Sequence, residues 1–131
     1  MNKLISLTFL IIVSLSIKSQ VQTFDTEHFN VKYETETGQY VEASVKVLEI
    51  AWKISKNNGY QLPDKLNFSV IKTERTVLYF ERKKLNGIVL EYNSLDMFLS
   101  PNEGGKNNIY GLCHEIGHLS MHRTISNKNK W

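Results

Sequence analysis

Ile109-Tyr110-Gly111-Leu112-Cys113-His114-Glu115-Ile116-Gly117-His118-Leu119-Ser120-Met121 is the run on which the reading of this chain turns. Apart from its histidines, Glu115 is its one charged side chain, whereas a fully solvated helix carries Lys, Arg and Glu around its circumference. Ile116, Gly117 and Leu119 keep the spaces between the polar residues apolar or small, as a helix buried beneath a sheet requires. Residues four apart on a helix are rotated by about 40° and displaced by about 6 Å, so His114 and His118 project from one face and can chelate one ion. Glu115 lies about 100° round from His114. It therefore flanks the ion instead of binding it, placed to take a proton from an activated water as general base. Zinc suits such a site: neutral imidazole is a good ligand for it, and a three-ligand site leaves a position for water, whose pKa falls to about 7. The chain holds one cysteine, Cys113. Intramolecular disulfides and CxxC zinc knuckles are thereby excluded, and any metal site must use His and carboxylates.

Working outwards, the spacing predicts a helix over 108–125 around this motif and, before it, a sheet. Phe29-Asn30-Val31-Lys32-Tyr33 alternates with period 2 and predicts a strand. Val41, Val45, Leu48 and Trp52 recur at helical spacing, predicting a helix over 39–58 that Gly59 terminates. Leu66, Phe68 and Val70 alternate after Pro63-Asp64, a second strand. Thr73 is expected to cap a short helix running to Lys83, with Arg82-Lys83-Lys84 as its solvated end. Asn86-Gly87 then turns the chain into strands at 88–92 and 97–100, joined by a tight Asn93-Ser94 turn. There is no internal repeat, low-complexity tract or linker. The expected fold is α+β: a twisted mixed sheet of about four strands with a long backing helix and a C-terminal helix that carries the motif.

The first residues read differently. Met1-Asn2-Lys3 opens on a positive charge and is followed by an uncharged apolar run over 4–17, ending at Lys18-Ser19-Gln20. A bilayer-spanning helix needs about 20 apolar residues, so 1–19 is expected to be a signal peptide and 20–131 the exported domain, secreted or periplasmic, with no stable membrane anchor. No cysteine follows the apolar run to carry a lipid. Losing Lys3 and Lys18 takes the sixteen Lys and Arg to fourteen, against thirteen Asp and Glu. A balance that close to neutral excludes a nucleic-acid-binding surface.

Three features together resemble the zincin superfamily, and more particularly the gluzincin or peptidase-MA-like zinc metallopeptidases. These are the HEIGH core, the strand-helix-strand start beginning at His28-Phe29, and the Gly87 and Met97-Phe98-Leu99 strands leading into the motif helix. The resemblance spans nearly all of 20–131, and HEIGH is its specific element. It implies a zincin-like N-terminal subdomain, zinc held by His114 and His118, Glu115 as general base and proton shuttle, and hydrolysis of peptide bonds in a peptide or protein substrate. It also implies that 88–92 is the edge strand that holds substrate backbone.

The departures are as informative. Gluzincins take their third ligand from a later helix, and no acidic residue follows Glu115. In the metzincin pattern Met121 would have to be Gly and Thr124 His. His122 lies about 12 Å along the axis from His114, too far for one straight helix to bring all three histidines onto one ion. His122 is therefore expected to play a supporting or surface role, His28 a structural one, and Cys113 that of a small buried hydrophobe. The expectation is a catalytic domain that ends before its third ligand. The rival is a catalytically incomplete zincin-like module for metal binding or interaction.

Overall fold

Stretches of alternating and β-branched sequence pair into one mixed sheet in the computed structural model, which describes residues 20–96 and 104–128 and, within the last helix, the side chains of 110–127. β1 (Val21–Asp25) and β2 (Phe29–Glu34) form an antiparallel hairpin with Phe24 opposite Val31. A short 3-10 turn, Thr35–Thr37, leads into α1 (Gly38–Asn57). The chain returns as β3 (Leu66–Lys72), parallel to β2 with Val31 opposite Phe68. β4 (Val77–Phe80) follows, and then β5 (Gly87–Tyr92), which runs parallel to β3 and antiparallel to β4. The spatial order is β1-β2-β3-β5-β4, and α2 (Gly104–Lys128) closes the fold.

Period-2 side chains send one face of this sheet inwards. Phe29 and Val31 of β2, Leu66, Phe68 and Val70 of β3, and Ile88, Leu90 and Tyr92 of β5 form one buried cluster. Onto it α1 lays Val41, Val45, Leu48 and Trp52, and α2 lays Leu112, Ile116 and Leu119. Each such large apolar side chain contributes about 1.5–3 kcal/mol on burial, and these three on α2 set which way that helix is rolled. Gly59 ends α1 with φ 81°, a conformation that costs a side-chain-bearing residue more than it costs glycine. The loop beyond is held by Trp52, whose Nε1 donates to the Pro63 carbonyl at 3.0 Å. Gly111 has a different reason to be glycine: a Cβ there would sit 2.8 Å from Leu78 Cδ2, so its absence lets α2 settle on β4.

Several expectations change. In place of a helix after Thr73, the Thr73 hydroxyl accepts the Arg75 N–H at 3.2 Å in a local turn, and Val77-Leu78-Tyr79-Phe80, β-branched and aromatic, forms a strand against β5. Arg82-Lys83-Lys84 consequently sits in the turn between β4 and β5, not at a helix end. Among the described residues the sheet has five strands, with β1 and β4 unforeseen. Residues 88–92 form an interior strand; among the described residues the edges are β1 and β4. Cys113, expected to be buried, is exposed, because the inward arc of α2 is filled by Leu112, Ile116 and Leu119. The expected strand at 97–100 and the signal peptide at 1–19 lie outside the described residues. Among the described residues, no helix is long and apolar enough to cross a membrane.

Candidate metal-binding and catalytic site

With Leu112, Ile116 and Leu119 turned into the core, helical geometry carries His114 and His118 onto the neighbouring flank. His114 is exposed and His118 half-buried. Their Nε2 atoms lie 2.8 Å apart and their rings meet nearly edge to face, with centroids 4.3 Å apart at 88°. At that distance the N–H of one ring can donate to the bare nitrogen of the other, the direction set by the tautomers, and the same two nitrogens can instead turn onto one ion. Zn–N bonds of about 2.0–2.1 Å at a tetrahedral angle separate two nitrogens by about 3.3 Å, so a small opening of the pair suffices. Across from them stand Ser55 of α1 and Tyr60, just past Gly59, and the cavity so formed, about 360 Å³, is also lined by Gly117 and Met121. The Gln61 N–H donates to Thr124 Oγ1 at 3.1 Å, tying this wall to α2.

Glu115 faces the other way, towards β4. The Glu81 N–H donates to the Gly87 carbonyl at 2.8 Å at the end of the β4–β5 ladder. Antiparallel alternation then aims the backbone groups of Leu78 and Phe80 outwards, away from β5. The Phe80 N–H donates to Glu115 Oε2 at 3.1 Å. The Phe80 ring lies 5.8 Å from that of His118 and 5.3 Å from that of His122. Arg123 secures the adjoining turn by donating to the Leu85 carbonyl at 2.8 Å. The last residue of the edge strand is thus where the motif helix and the sheet meet.

The structure therefore brings His114 and His118 together, sets Glu115 beside them but bonded to β4, and places His122 against Phe80. Among the described residues, no further His, Cys, Asp or Glu completes a three-ligand group with His114 and His118.

A different trio does lie close: donor atoms of Glu27, His28 and Glu49 are within 4.8 Å of one another. Glu49 Oε1 accepts the Thr26 hydroxyl at 2.6 Å and the His28 N–H at 2.8 Å, and its Oε2 contacts His28 Nδ1 at 2.5 Å. The His28 ring stacks on Trp52, with centroids 3.6 Å apart. Burial raises the Glu49 pKa, but the hydrogen bonds from Thr26 and His28 outweigh it and hold the carboxyl below its ordinary value. Both oxygens being occupied, this group works as a clasp between the β1–β2 turn and α1. Glu91 is similar. Paired with the Arg75 guanidinium and accepting from the Tyr79 hydroxyl at 3.0 Å, it is held at about 2.

Sequence reasoning missed Phe80, Ser55 and Tyr60 as members of this neighbourhood. For Phe80 a signal existed, the β-prone run from Val77 to Phe80; for Ser55 and Tyr60 none did, since only the packing of α1 against α2 brings them across. No protein-family model matches this chain, and neither a curated protein nor a solved structure matches it.

Proposed function

We propose that this chain is an exported zinc-dependent metallopeptidase domain. The observation that carries the proposal is the convergence of the His114 and His118 Nε2 atoms to 2.8 Å on one flank of α2, facing a cavity, with Glu115 one residue away at the free edge of a sheet. The two imidazoles are the kind of ligand zinc takes and supply two of the three that a catalytic zinc uses, with no third beside them among the described residues. Zinc bound there would supply Lewis acidity, polarising a peptide carbonyl and lowering the pKa of water to about 7. His114 and His118 would hold the ion. Glu115 takes the proton of the attacking water and delivers it to the amine that leaves when the C–N bond breaks. The outward backbone groups of Leu78 and the Phe80 carbonyl, the Phe80 N–H being bonded to Glu115, hold the substrate as an added strand.

The test is elemental analysis of purified protein beside its His114→Ala variant. Bound zinc that disappears in the variant is the expected result; equal zinc in both removes the proposal. A second reading, a zincin-like metal-binding module without catalysis, is favoured by the two-ligand donor set. The two separate on peptide cleavage: a module binds zinc and leaves peptides intact.

A further inference from the structure

β4 has a sheet neighbour on one side among the described residues, and its free side adjoins a groove with a pronounced sign of charge. Val77, Tyr79 and Phe80 line a cavity of about 630 Å³ along this strand. Arg75 stands at one end and the exposed Arg82, Lys83 and Lys84 at the other. Arg75 is neutralised by Glu91. Among the described residues, no ion pair holds Arg82, Lys83 or Lys84. The one acid in the lining, Glu81, lies over Gly87, its Oε2 2.8 Å from where a Cβ would be. Three cations against one carboxylate leave an uncompensated positive field beside a strand with outward-facing backbone groups.

We infer that this edge selects an extended acidic peptide, bound as a strand on β4 with alternate Asp or Glu side chains directed at Arg82, Lys83 and Lys84. Strand addition supplies affinity through backbone hydrogen bonds, and alternate side chains read the two faces. One set meets the cationic groove; the other meets the helix side, where Glu115 and His118 lie. The inference deepens the peptidase proposal, since it makes the acidic strand the substrate, but the preference itself is a binding property and is measured without catalysis.

The measurement is fluorescence anisotropy of labelled twelve-residue peptides on the purified protein, Glu alternating with Val and Thr, against the same peptide with Lys for Glu. The acidic peptide should bind at least about tenfold more tightly at low salt, with the difference shrinking as salt screens it. Lys83→Glu combined with Lys84→Glu should reverse the preference. N-methylation of alternate amides in the acidic peptide should abolish binding by blocking strand pairing. Equal binding of the two peptides overturns the inference, and so does undiminished binding of the N-methylated one, which marks a nonspecific anion patch. A zinc assay on the same sample separates the two proposals. Acidic preference without zinc sinks the peptidase reading alone; zinc without preference sinks this inference alone.

Discussion

His28 and Glu49 touch at 2.5 Å with every oxygen of the carboxylate bonded, whereas His114 and His118 face one another at 2.8 Å across the edge of an open cavity. Both regions set histidine near a carboxylate carried on a helix, yet in the first the carboxylate bonds the histidine itself, while in the second the two histidines meet each other beside a cavity and Glu115 bonds the Phe80 N–H. A satisfied polar group in a protein interior mainly specifies structure; one whose valences point into solvent is available for chemistry. Proximity of ligating atoms alone selects Glu27, His28 and Glu49, the one three-member cluster among the described residues, and not the two histidines of α2.

The sharpest break of that contrast is Glu115→Gln. In any form of the protein with measurable peptidase activity, zinc content should persist while turnover falls by at least about 100-fold, the low end of general-base contributions. Loss of zinc in that variant would make Glu115 a ligand and dissolve the division of labour. Next is stability. Glu49→Ala leaves the His28 N–H and the Thr26 hydroxyl without their acceptor and should cost about 1–3 kcal/mol, while His114→Ala, on an exposed flank, should stay within about 0.5 kcal/mol of wild type. Denaturant titration of both checks this, and a His114→Ala loss as large as that of Glu49→Ala would show the motif to be structural.

Acid sensitivity sharpens the same contrast. The folded Glu91 carboxyl sits at about 2 against an ordinary 4.5. The folded state thus binds that proton less readily than the unfolded state, and the stabilisation is present above about 4.5 and drains away as the pH falls towards 2. Glu49, also lowered, acts in the same direction. Glu91→Gln should flatten the decline of melting temperature across that window; an unchanged decline would mean the Arg75 pair contributes nothing. The smallest effect concerns the helix. Gly117 has no atom within 4 Å of a built Cβ, so Gly117→Ala should raise stability by up to about 1 kcal/mol through helix propensity. Gly111→Ala should yield less, because its methyl meets Leu78. A gain at Gly111 matching that at Gly117 would show that α2 stands off β4.

Periodicity carried much of the architecture. Val41, Val45, Leu48 and Trp52 announced α1 and its buried face, Gly59 its end, and the alternations around Val31 and Phe68 two strands, whose parallel pairing only the structure gave. Where local signals compete, the reading failed. Thr73 followed by charged residues looks like a capped helix, and Arg82-Lys83-Lys84 like that helix's end, but Val77, Leu78, Tyr79 and Phe80 gain more by pairing with β5 than a short isolated helix retains in water. That pairing puts 88–92 inside and, among the described residues, makes β4 the edge.

The sequence by itself determined that His114 and His118 share one helix face and that Glu115 is offset from them, because those relations follow from a fixed rise and rotation per residue. Only the tertiary structure decided what those faces look onto. The roll of α2 is set by Leu112, Ile116 and Leu119 in the core, and its approach to β4 by Gly111. That the Phe80 N–H reaches Glu115 and that Tyr60 faces the histidines result from contacts between residues tens of positions apart. Such contacts depend on how helices and strands from distant parts of the chain fill one shared core, and a local repeat in the sequence cannot encode that.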